Sequence, residues 1–292
     1  MLFSVIIPTF NRGDRLKKTL DSLASQTFKD FEVLVCDDGS KDNTEDVVKA
    51  YRHKLDISYF WSENWGGPAR PRNIGIQNSR GEWICFLDSD DWWRPDKLEK
   101  CIKFIEDYDV IYHCLAVQNE RTNIVGKKKI GSEVAEDVLR DLIVNGNVVP
   151  NSGALVRKEI LIKVGLVSEN KKLISMEDYD LWLKVAFVTK KFKFIPEPLG
   201  IYNWNSDTNI SKISDERISK EITIFQKYRS NLTERDFLEA RAVLRYKLGR
   251  YYNLLGNRKL AFRYLRSSML SHNARQKFKS LIFYIYYSLN RC

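Results

Sequence analysis

Short apolar runs, separated by segments of helical periodicity, recur along the first part of the chain. They are rich in β-branched and aromatic residues, as buried strands are. The predicted strands are Phe3–Pro8, Phe31–Cys36, Ile57–Trp61, Glu82–Leu87 and Val110–Leu115. Between them, apolar residues recur at helical spacing, as at Leu16, Leu20 and Leu23. This alternation predicts βαβ crossovers, and therefore an α/β fold with a mostly parallel sheet and helices on both faces.

The pattern changes near Leu232, after which only helical periodicity remains. Thr233 is placed to cap one helix, Gly256 and Asn257 break it, and a second helix follows. The pair weakly resembles one tetratricopeptide unit, and one unit is too short for a solenoid. We therefore expect a small all-helical C-terminal region, with a first domain over 1–212 and the helical region over 213–292.

Charge is distributed unevenly between these two parts. The 292-residue chain has 48 Lys and Arg against 38 Asp and Glu, a net charge of +10. Residues 213–292 hold 17 of the basic and 6 of the acidic residues, so the whole basic excess lies there. At 43% hydrophobic residues the chain is too apolar for a disordered protein. The five cysteines are widely spaced and form no C-x-x-C pair, so neither a disulfide framework nor a zinc site is indicated.

The longest apolar runs of the chain indicate whether the protein spans a membrane or is exported. Leu2–Phe10 and Leu281–Leu289 fall well short of the roughly 20 residues that span a bilayer, so no transmembrane helix is expected. The first run has no basic region before it and no small-residue cleavage site after it, so no signal peptide is indicated. We expect a cytoplasmic protein, either free or peripheral at the inner face of the cytoplasmic membrane.

Polar side chains follow three of the predicted strands. Pro8–Arg12 follows the first strand, Asp37–Ser40 the second and Asp88–Asp91 the fourth. Because the carboxyl ends of parallel strands share one edge of a sheet, where ligands bind, these carboxylates should gather there. Carboxylates in one cleft repel unless a cation neutralises them, and oxygen ligands suit Mg²⁺ or Mn²⁺. Each motif alone also fits ordinary turn and helix-capping chemistry; their occurrence together favours a site.

Two further segments carry candidate chemistry. In the glycine-containing stretch 64–75 a helix begins near Pro71, and Arg72 could grip a diphosphate; the alternative is a plain turn with solvated arginines. The stretch lacks the spacing of a P-loop, so nothing indicates an ATPase. Further on, Glu177 and Asp178 open a predicted helix, where acids also simply favour the helix dipole.

Taken together, these segments resemble the inverting glycosyltransferases of family 2, which have the Rossmann-like GT-A fold. The resemblance runs from Met1 to about Ser211. The matching stretches are Ser4–Arg12, Ser25–Thr27, Val33–Thr44, Arg72–Gly75, Gly81–Asp91 and Glu177–Trp182. It implies a GT-A domain followed by the helical region, and an enzyme that transfers a hexosyl or N-acetylhexosaminyl group.

The resemblance also implies roles for individual residues. Those implied to bind the nucleotide sugar, which we expect to be a UDP-sugar, are Pro8, Thr9, Phe10, Arg12, Asp37, Asp38, Arg72, Asp88 and Glu177. Within that set Asp38 would contact the base and Arg72 would lie near the diphosphate. Asp88 and Asp90 would hold Mn²⁺ or Mg²⁺, and Asp178 would be the catalytic base. The family often has Tyr-Arg-x-His after its last core strand; Tyr202–Asn205 lacks that Arg and His, which weakens the expectation of a ligand there and leaves the other motifs intact.

These residue types suit the reaction. Negative charge grows on the leaving diphosphate, and a divalent ion held by carboxylates would stabilise it. A carboxylate within about 3 Å of the acceptor hydroxyl would take its proton. One displacement inverts the anomeric carbon without a covalent nucleophile. The family and the basic tail together suggest a lipid-linked saccharide acceptor, as in surface polysaccharide assembly.

Two other functions share some of these features. A haloacid-dehalogenase-like Mg²⁺-dependent phosphotransferase also has Asp-x-Asp after a strand, but after the first strand, and a tryptophan stands here where it usually has Thr or Val. A catalytically inactive GT-A scaffold is the other alternative, against which the intact Asp88, Asp90 and Asp178 argue.

The basic tail indicates a partner of opposite charge. Basic residues beside the aromatic run Ser280–Leu289 are typical of a helix on an anionic membrane surface, and a helical cap with a solvated basic face is the alternative. No nucleic-acid recognition motif accompanies the charge, so we expect no nucleic-acid partner.

Overall fold

The computed structural model describes residues 1–204, 213–271 and 273–289. The strands are β1 (Phe3–Thr9), β2 (Phe31–Asp37), β3 (Ile57–Trp61), β4 (Trp83–Phe86), β5 (Trp92–Trp93), β6 (Val110–Asn119), β7 (Ile124–Ile130), β8 (Ala154–Arg157) and β9 (Phe192–Trp204). The α-helices of the first 204 residues are α1 (Gly13–Ala24), α2 (Thr44–Tyr51), α3 (Ala69–Asn78), α4 (Lys97–Cys101), α5 (Val138–Asn145), α6 (Lys158–Lys163) and α7 (Glu177–Ala186). The helices that follow are α8 (Asp215–Tyr228), α9 (Glu234–Leu254), α10 (Arg258–Ser268) and α11 (Ala274–Leu289).

The strands form one sheet in the order β3-β2-β1-β4-β8-β6-β9-β5, with β7 paired to β6. β1 runs parallel to β2 and β4, β2 to β3, and β6 to β9. β8 runs antiparallel to both its neighbours, β4 and β6, and β5 runs antiparallel to β9. The predicted α/β fold is thus confirmed, with a sheet that is mixed because β8 is reversed at its centre.

The register of the central strands brings their polar ends together. Thr9, at the end of β1, lies opposite Asp37, at the end of β2. Ile6 of β1 lies opposite Phe86, the last residue of β4. The chain therefore leaves β1, β2 and β4 at the same edge of the sheet, and the segments that follow begin next to one another.

The core lies between this sheet and the helices that cover it. Every residue of β1 and β2 is buried, as expected for parallel strands covered on both faces. Leu16, Leu20 and Leu23 of α1 are fully buried and belong to the same apolar cluster as Val5. The predicted helical spacing is therefore the face of α1 that packs on the sheet.

All five predicted strands are present, and β5, β7, β8 and β9 were not predicted. β5 and β8 have two and four residues, too few for a periodic signal. β9 contains Pro196 and Pro198, which weaken a strand pattern because proline cannot donate to the ladder. The sheet accommodates them with a break in register, where His113 pairs with Ile195 and Cys114 with Pro198.

The chain divides into two compact units. The first comprises Met1–Glu136 and Val148–Asn209, and the second Asp137–Asn147 and Ile210–Cys292. The predicted contiguous division, after residue 212, falls outside the described residues, and it did not foresee that α5 would belong with the C-terminal helices. Ion pairs contribute to this attachment, because Arg140 of α5 lies 2.7 Å from Asp236 and 3.1 Å from Glu239 of α9.

The C-terminal helices of the second unit follow the predicted caps and breaks. Thr233 caps α9 by accepting the backbone N–H of Asp236, and Gly256 separates α9 from α10 with a φ of +78°. α9 and α10 approach closely at Gly249, where an added Cβ would lie 2.7 Å from Leu265 Cγ. The absence of a side chain at Gly249 thus allows the close approach of this helix pair.

Candidate active site

The turn after β2 is held by two buried aspartates. Asp37 accepts the backbone N–H of Ser40 at 2.7 Å and the hydroxyl of Tyr59 at 2.6 Å. Burial, helped by this bond to Asp37, raises the pKa of Tyr59. Gly39 has a φ of +88°, which favours glycine, and an added Cβ would lie 2.9 Å from the backbone nitrogen of Asn64. This turn therefore needs glycine for both its conformation and its close neighbour.

Asp38 organises the glycine loop before α3. Its carboxylate accepts the backbone N–H of Trp65 at 2.7 Å, of Gly66 at 3.0 Å and of Gly67 at 3.3 Å. Sequence reasoning implied that Asp38 contacts the base of a nucleotide. In the structure both carboxylate oxygens accept backbone N–H groups of the loop, and contact between Asp38 and a base stays a prediction.

The loop carries a partly buried tryptophan between two cations. The Arg70 guanidinium carbon lies 3.8 Å from the centroid of the Trp65 ring, and Lys171 Nζ lies 4.5 Å from it. Cations above an aromatic face are attracted by the electron density of the ring. Trp65 thus joins the start of α3 to the segment that leads into α7.

Arg72 is buried and paired with two carboxylates. Its Nη1 donates to Glu177 Oε1 at 2.8 Å and its Nη2 to Asp88 Oδ1 at 2.7 Å. Burial opposes its charge, but Asp88 and Glu177 outweigh burial and raise the pKa of Arg72. The Arg72 side chain is only 5% exposed, so it joins the loop after β4 to the start of α7 rather than reaching outward. Its Nε and Glu177 Oε2 are buried without a hydrogen-bond partner among the described residues.

Asp90 is paired with the other predicted arginine. Arg12 Nη1 donates to Asp90 Oδ2 at 2.8 Å, and the two side chains are 24% and 14% exposed. Burial and repulsion from Asp88 raise the pKa of Asp90, while Arg12 opposes the increase. The two carboxylates of the Asp-x-Asp motif therefore each have an arginine, and they are close enough to repel one another.

Sequence reasoning did not assign a role to Asp91, which is fully buried behind this motif. It accepts the backbone N–H of Asn203 at 2.9 Å, and Thr19 donates its hydroxyl to the Asp91 carbonyl at 2.8 Å. Burial, with the charges of Asp90 and Asp88, raises the pKa of Asp91 well above its ordinary value. In the sequence Asp91 looks like the other aspartates of the run that follows β4. It differs from them in its burial, which depends on contacts with distant residues and so has no sequence signal.

Ser152 supports the same loop from β8's side of the sheet. Its hydroxyl accepts the backbone N–H of Asp88 at 3.1 Å and bonds to the side chain of Asp91. Its carbonyl accepts the Trp93 indole N–H at 2.6 Å. No motif marks Ser152, because its partners lie about sixty residues earlier in the chain.

The predicted base lies beside this network. Asp178 is half-buried in the first turn of α7, next to Glu177. Its charge acts on Arg72, together with those of Asp88 and Glu177. The structure therefore brings three of the predicted carboxylates around one buried guanidinium.

The remaining predicted residues lie at the end of β1. Pro8 and Thr9 are buried, and Thr9 Oγ1 has no hydrogen-bond partner in the part of the chain that is described. Phe10 is 46% exposed. Asn11, with a φ of +49°, donates its backbone N–H to Ser40 Oγ at 2.7 Å and so ties this segment to the turn after β2.

These residues fit a divalent ion that is shared with a ligand. The described residues contain no group of three or more His, Cys, Asp or Glu placed to hold a metal. Asp88 and Asp90 offer two carboxylates, whose mutual repulsion a cation would relieve. Mg²⁺ is commonly held by one or two carboxylates together with substrate phosphates, which matches this donor set better than a metal centre formed by protein alone.

Comparison with known families decides the class of protein. The family model described as Glycosyl transferase family 2 matches residues 4–165. The chain belongs to this family. Membership leaves the haloacid-dehalogenase-like alternative without support. The matched range includes β1, β2 and β4 and the polar segments that follow them.

Named relatives and solved structures agree with this family 2 assignment. The amylovoran biosynthesis glycosyltransferase AmsB of Erwinia amylovora is 28% identical over 261 residues, 84% of this chain and 85% of AmsB. The crystal structure of Staphylococcus aureus TarS 1-349 in complex with UDP-GlcNAc aligns with a TM-score of 0.67, at 23% identity, over 96% of this chain and 84% of that one. The mannosyltransferase PcManGT of Pyrobaculum calidifontis, in complex with GDP-Man and Mn²⁺, aligns with a TM-score of 0.63, at 17% identity, over 99% of this chain and 81% of that one. These structures establish the GT-A fold.

Other relatives are longer than the region they share with this chain. Curated glycosyltransferases of Rickettsia typhi, Haemophilus influenzae and Rickettsia felis match over 60%, 62% and 30% of their own lengths. Within the described ranges of this family 2 chain, every helix is too short or too polar to cross a membrane.

Proposed function

We propose that this family 2 chain transfers a sugar from a UDP-sugar to an acceptor hydroxyl, with inversion at the anomeric carbon. The proposal rests on one observation, the gathering of Asp88, Glu177 and Asp178 around Arg72 at the carboxyl edge of the sheet. These groups join the loop after β4 to the start of α7. A donor and an acceptor that meet between the loop and the helix would find charged groups on both sides.

Asp178 is the proton acceptor in this proposal. Asp178 stands in the first turn of α7, where the helix dipole favours a negative charge, and its charge also acts on Arg72. An ionised carboxylate can take the proton of an acceptor hydroxyl as the oxygen attacks the anomeric carbon. Attack opposite the leaving diphosphate inverts the configuration in one step. Glu177 is held by Arg72 and so fixes the start of α7 on which Asp178 stands.

Arg12 is the group that meets the donor diphosphate. Its pairing with Asp90 is partly exposed, so a diphosphate can compete for its guanidinium, and arginine binds phosphate oxygens in a bidentate manner. Asp88 and Asp90 would hold Mn²⁺ or Mg²⁺, which supplies Lewis-acid stabilisation of the leaving group when bound. Arg72, which the resemblance implied to lie near the diphosphate, acts through the residues it positions.

The donor and acceptor classes come from the relatives. TarS was crystallised with UDP-GlcNAc and PcManGT with GDP-Man and Mn²⁺, which supports a nucleotide-sugar donor and a divalent ion here. AmsB is named for amylovoran biosynthesis, which supports assembly of a surface polysaccharide. We extend this to a lipid-linked saccharide acceptor.

Thermal unfolding with a panel of nucleotide sugars tests the donor. A bound donor stabilises the folded protein, by roughly 2.7 kcal/mol when its concentration is a hundred times the dissociation constant. We expect protection by a UDP-sugar with Mn²⁺ and weaker protection without the ion. Lack of protection by every nucleotide sugar would support the inactive-scaffold alternative.

Matched variants then test the roles. Asp178→Asn should retain donor protection but lower the rate of transfer at least a hundredfold, because general-base catalysis commonly contributes that much. Arg12→Met should weaken donor protection. NMR of the product reports the anomeric configuration, and a retained configuration, or an unchanged rate in Asp178→Asn, would refute the mechanism.

A further inference from the structure

The outer face of α11 is apolar and exposed. Its exposed apolar residues are Phe278, Leu281, Ile282, Ile285, Tyr286 and Leu289, each between 43% and 76% exposed. They are spaced three or four residues apart, so they lie on one side of the helix. We call this face the apolar stripe. Large exposed apolar patches mark surfaces that bind a partner.

The opposite side of α11 already has its packing partners within the second unit. Ser280 is fully buried and its hydroxyl lies 2.7 Å from that of Ser268 on α10. The ring of Tyr284 packs edge-on against Phe262, with centroids 5.1 Å apart. The apolar stripe is therefore additional to the residues that fix α11 in its own unit.

Basic residues border the apolar stripe. At about 100° per residue, Lys277 and Lys279 lie on opposite sides of Phe278, and Arg275 lies one turn before it. All three basic residues are exposed, and α11 contains no acidic residue. An apolar face between lysines is typical of a helix that lies in a membrane interface.

Two cavities that involve α10 and α11 are lined by further basic residues, all of them arginines. One cavity of about 530 Å³ is lined by Arg258, Phe262, Tyr284, Tyr287 and Ser288. A second, of about 600 Å³, is lined by Phe262, Arg263, Arg266, Ser267, Leu270 and Tyr284. Both cavities are lined by Phe262 and Tyr284 and by arginines, and we call the two cavities together the arginine cleft. Guanidinium groups over an apolar floor suit a phosphate that is attached to an apolar chain.

We propose that the apolar stripe and this cleft form a binding surface for an anionic phospholipid bilayer. The stripe enters the boundary between headgroups and acyl chains, while Lys277, Lys279 and the cleft arginines contact lipid phosphates. The charge of residues 213–292, with 17 basic against 6 acidic residues, complements an anionic surface. It disfavours a second copy of the chain as the occupant, because two such faces would repel each other. The proposal does not depend on sugar transfer.

Co-sedimentation with lipid vesicles tests the proposal without any nucleotide sugar. We expect the full chain to sediment with vesicles of phosphatidylcholine and phosphatidylglycerol, and much less with phosphatidylcholine alone. Binding should weaken as salt is added, because salt screens the attraction between the basic residues and the lipid. Equal binding to both kinds of vesicle would overturn the electrostatic part of the proposal.

Two double variants separate charge from insertion. Lys277→Gln with Lys279→Gln should lower the vesicle partition coefficient about 30-fold, since each lysine near an anionic surface contributes roughly fivefold. Ile282→Ser with Ile285→Ser should lower it roughly 100-fold or more, because two apolar side chains no longer enter the lipid. The matched control is Ile162→Ser on α6, where an isoleucine is 59% exposed in the first unit; its binding should equal that of the parent.

The oligomeric state distinguishes membrane binding from dimerisation through the apolar stripe. Sedimentation equilibrium in the absence of lipid should give a monomer for the parent and for both double variants, with unchanged circular dichroism. A dimer that dissociates in Ile282→Ser with Ile285→Ser, together with absent vesicle binding, would assign the apolar stripe to a second copy and overturn the proposal. If the parent chain binds vesicles but transfers no sugar, only the proposed function is refuted.

Discussion

Replacing Arg72 is the most informative perturbation of the first unit. Its guanidinium makes charge-assisted hydrogen bonds of 2.7 Å to Asp88 and 2.8 Å to Glu177, and the Arg72 and Glu177 side chains are 5% and 6% exposed. Arg72→Met keeps most of the side-chain volume but removes the charge. Glu177 is then a buried carboxylate without its cation, and breaking a buried pair in this way costs about 3–5 kcal/mol.

The reasoning also predicts which second substitution relieves the damage. Glu177→Gln in the Arg72→Met background removes the buried negative charge, so it should restore at least about half of the lost stability. The four free energies of unfolding, measured in urea for the parent, both single variants and the double variant, give the coupling between the two side chains. A coupling below about 0.5 kcal/mol, which distant and independent sites show, would refute the buried pair.

Three other changes test separate parts of the same unit. Gly75→Ala should lower the free energy of unfolding by about 1–3 kcal/mol although alanine favours helices, because its Cβ would lie 2.6 Å from Ile6 Cγ2; a gain in urea midpoint would contradict the close packing. Ser152→Ala should cost about 1–2 kcal/mol, because the Asp88 amide loses its acceptor, and an unchanged midpoint would refute that bond. Burial, with the charge of Lys97, lowers the pKa of His113 to about 3. The unfolded chain, in which the pKa of His113 is near 6.5, therefore takes up a proton before the folded protein does. The free energy of unfolding is unaffected by His113 well above that pKa and falls with the pH below it, by about 2 kcal/mol between pH 6.5 and pH 5. His113→Gln should show a correspondingly smaller loss over that interval, and equal losses would contradict the assignment.

The central sheet could be predicted because its information is local. β1 and β2 are continuous apolar runs followed by polar residues, and their parallel pairing alone brings those residues to one edge. The helices α9 and α10 could be predicted equally well, since Thr233 marks the start of α9 and Gly256 separates it from α10. The aspartates after β2 and β4 were found in this way, whereas the roles of Glu177 and Asp178 came from the family resemblance.

Their pairing could not be predicted, because it depends on contacts between distant segments. The sequence around Arg72 is compatible with a solvated arginine, and its partner Glu177 lies 105 residues further along the chain. Arg140 likewise reaches Asp236 over 96 residues, which moves α5 into the second unit. Neither ion pair has a spacing that a sequence pattern could reveal.

The different burial of the two arginines separates their roles. Arg72 is nearly inaccessible, so drawing it toward a diphosphate would leave Asp88 and Glu177 uncompensated at a cost of about 3–5 kcal/mol. The Arg12 and Asp90 side chains are 24% and 14% exposed, more than those of Arg72 and Glu177, so breaking their pair leaves its charges in better contact with water and costs less. In the proposed function, an incoming diphosphate would therefore recruit Arg12 at a lower cost than Arg72.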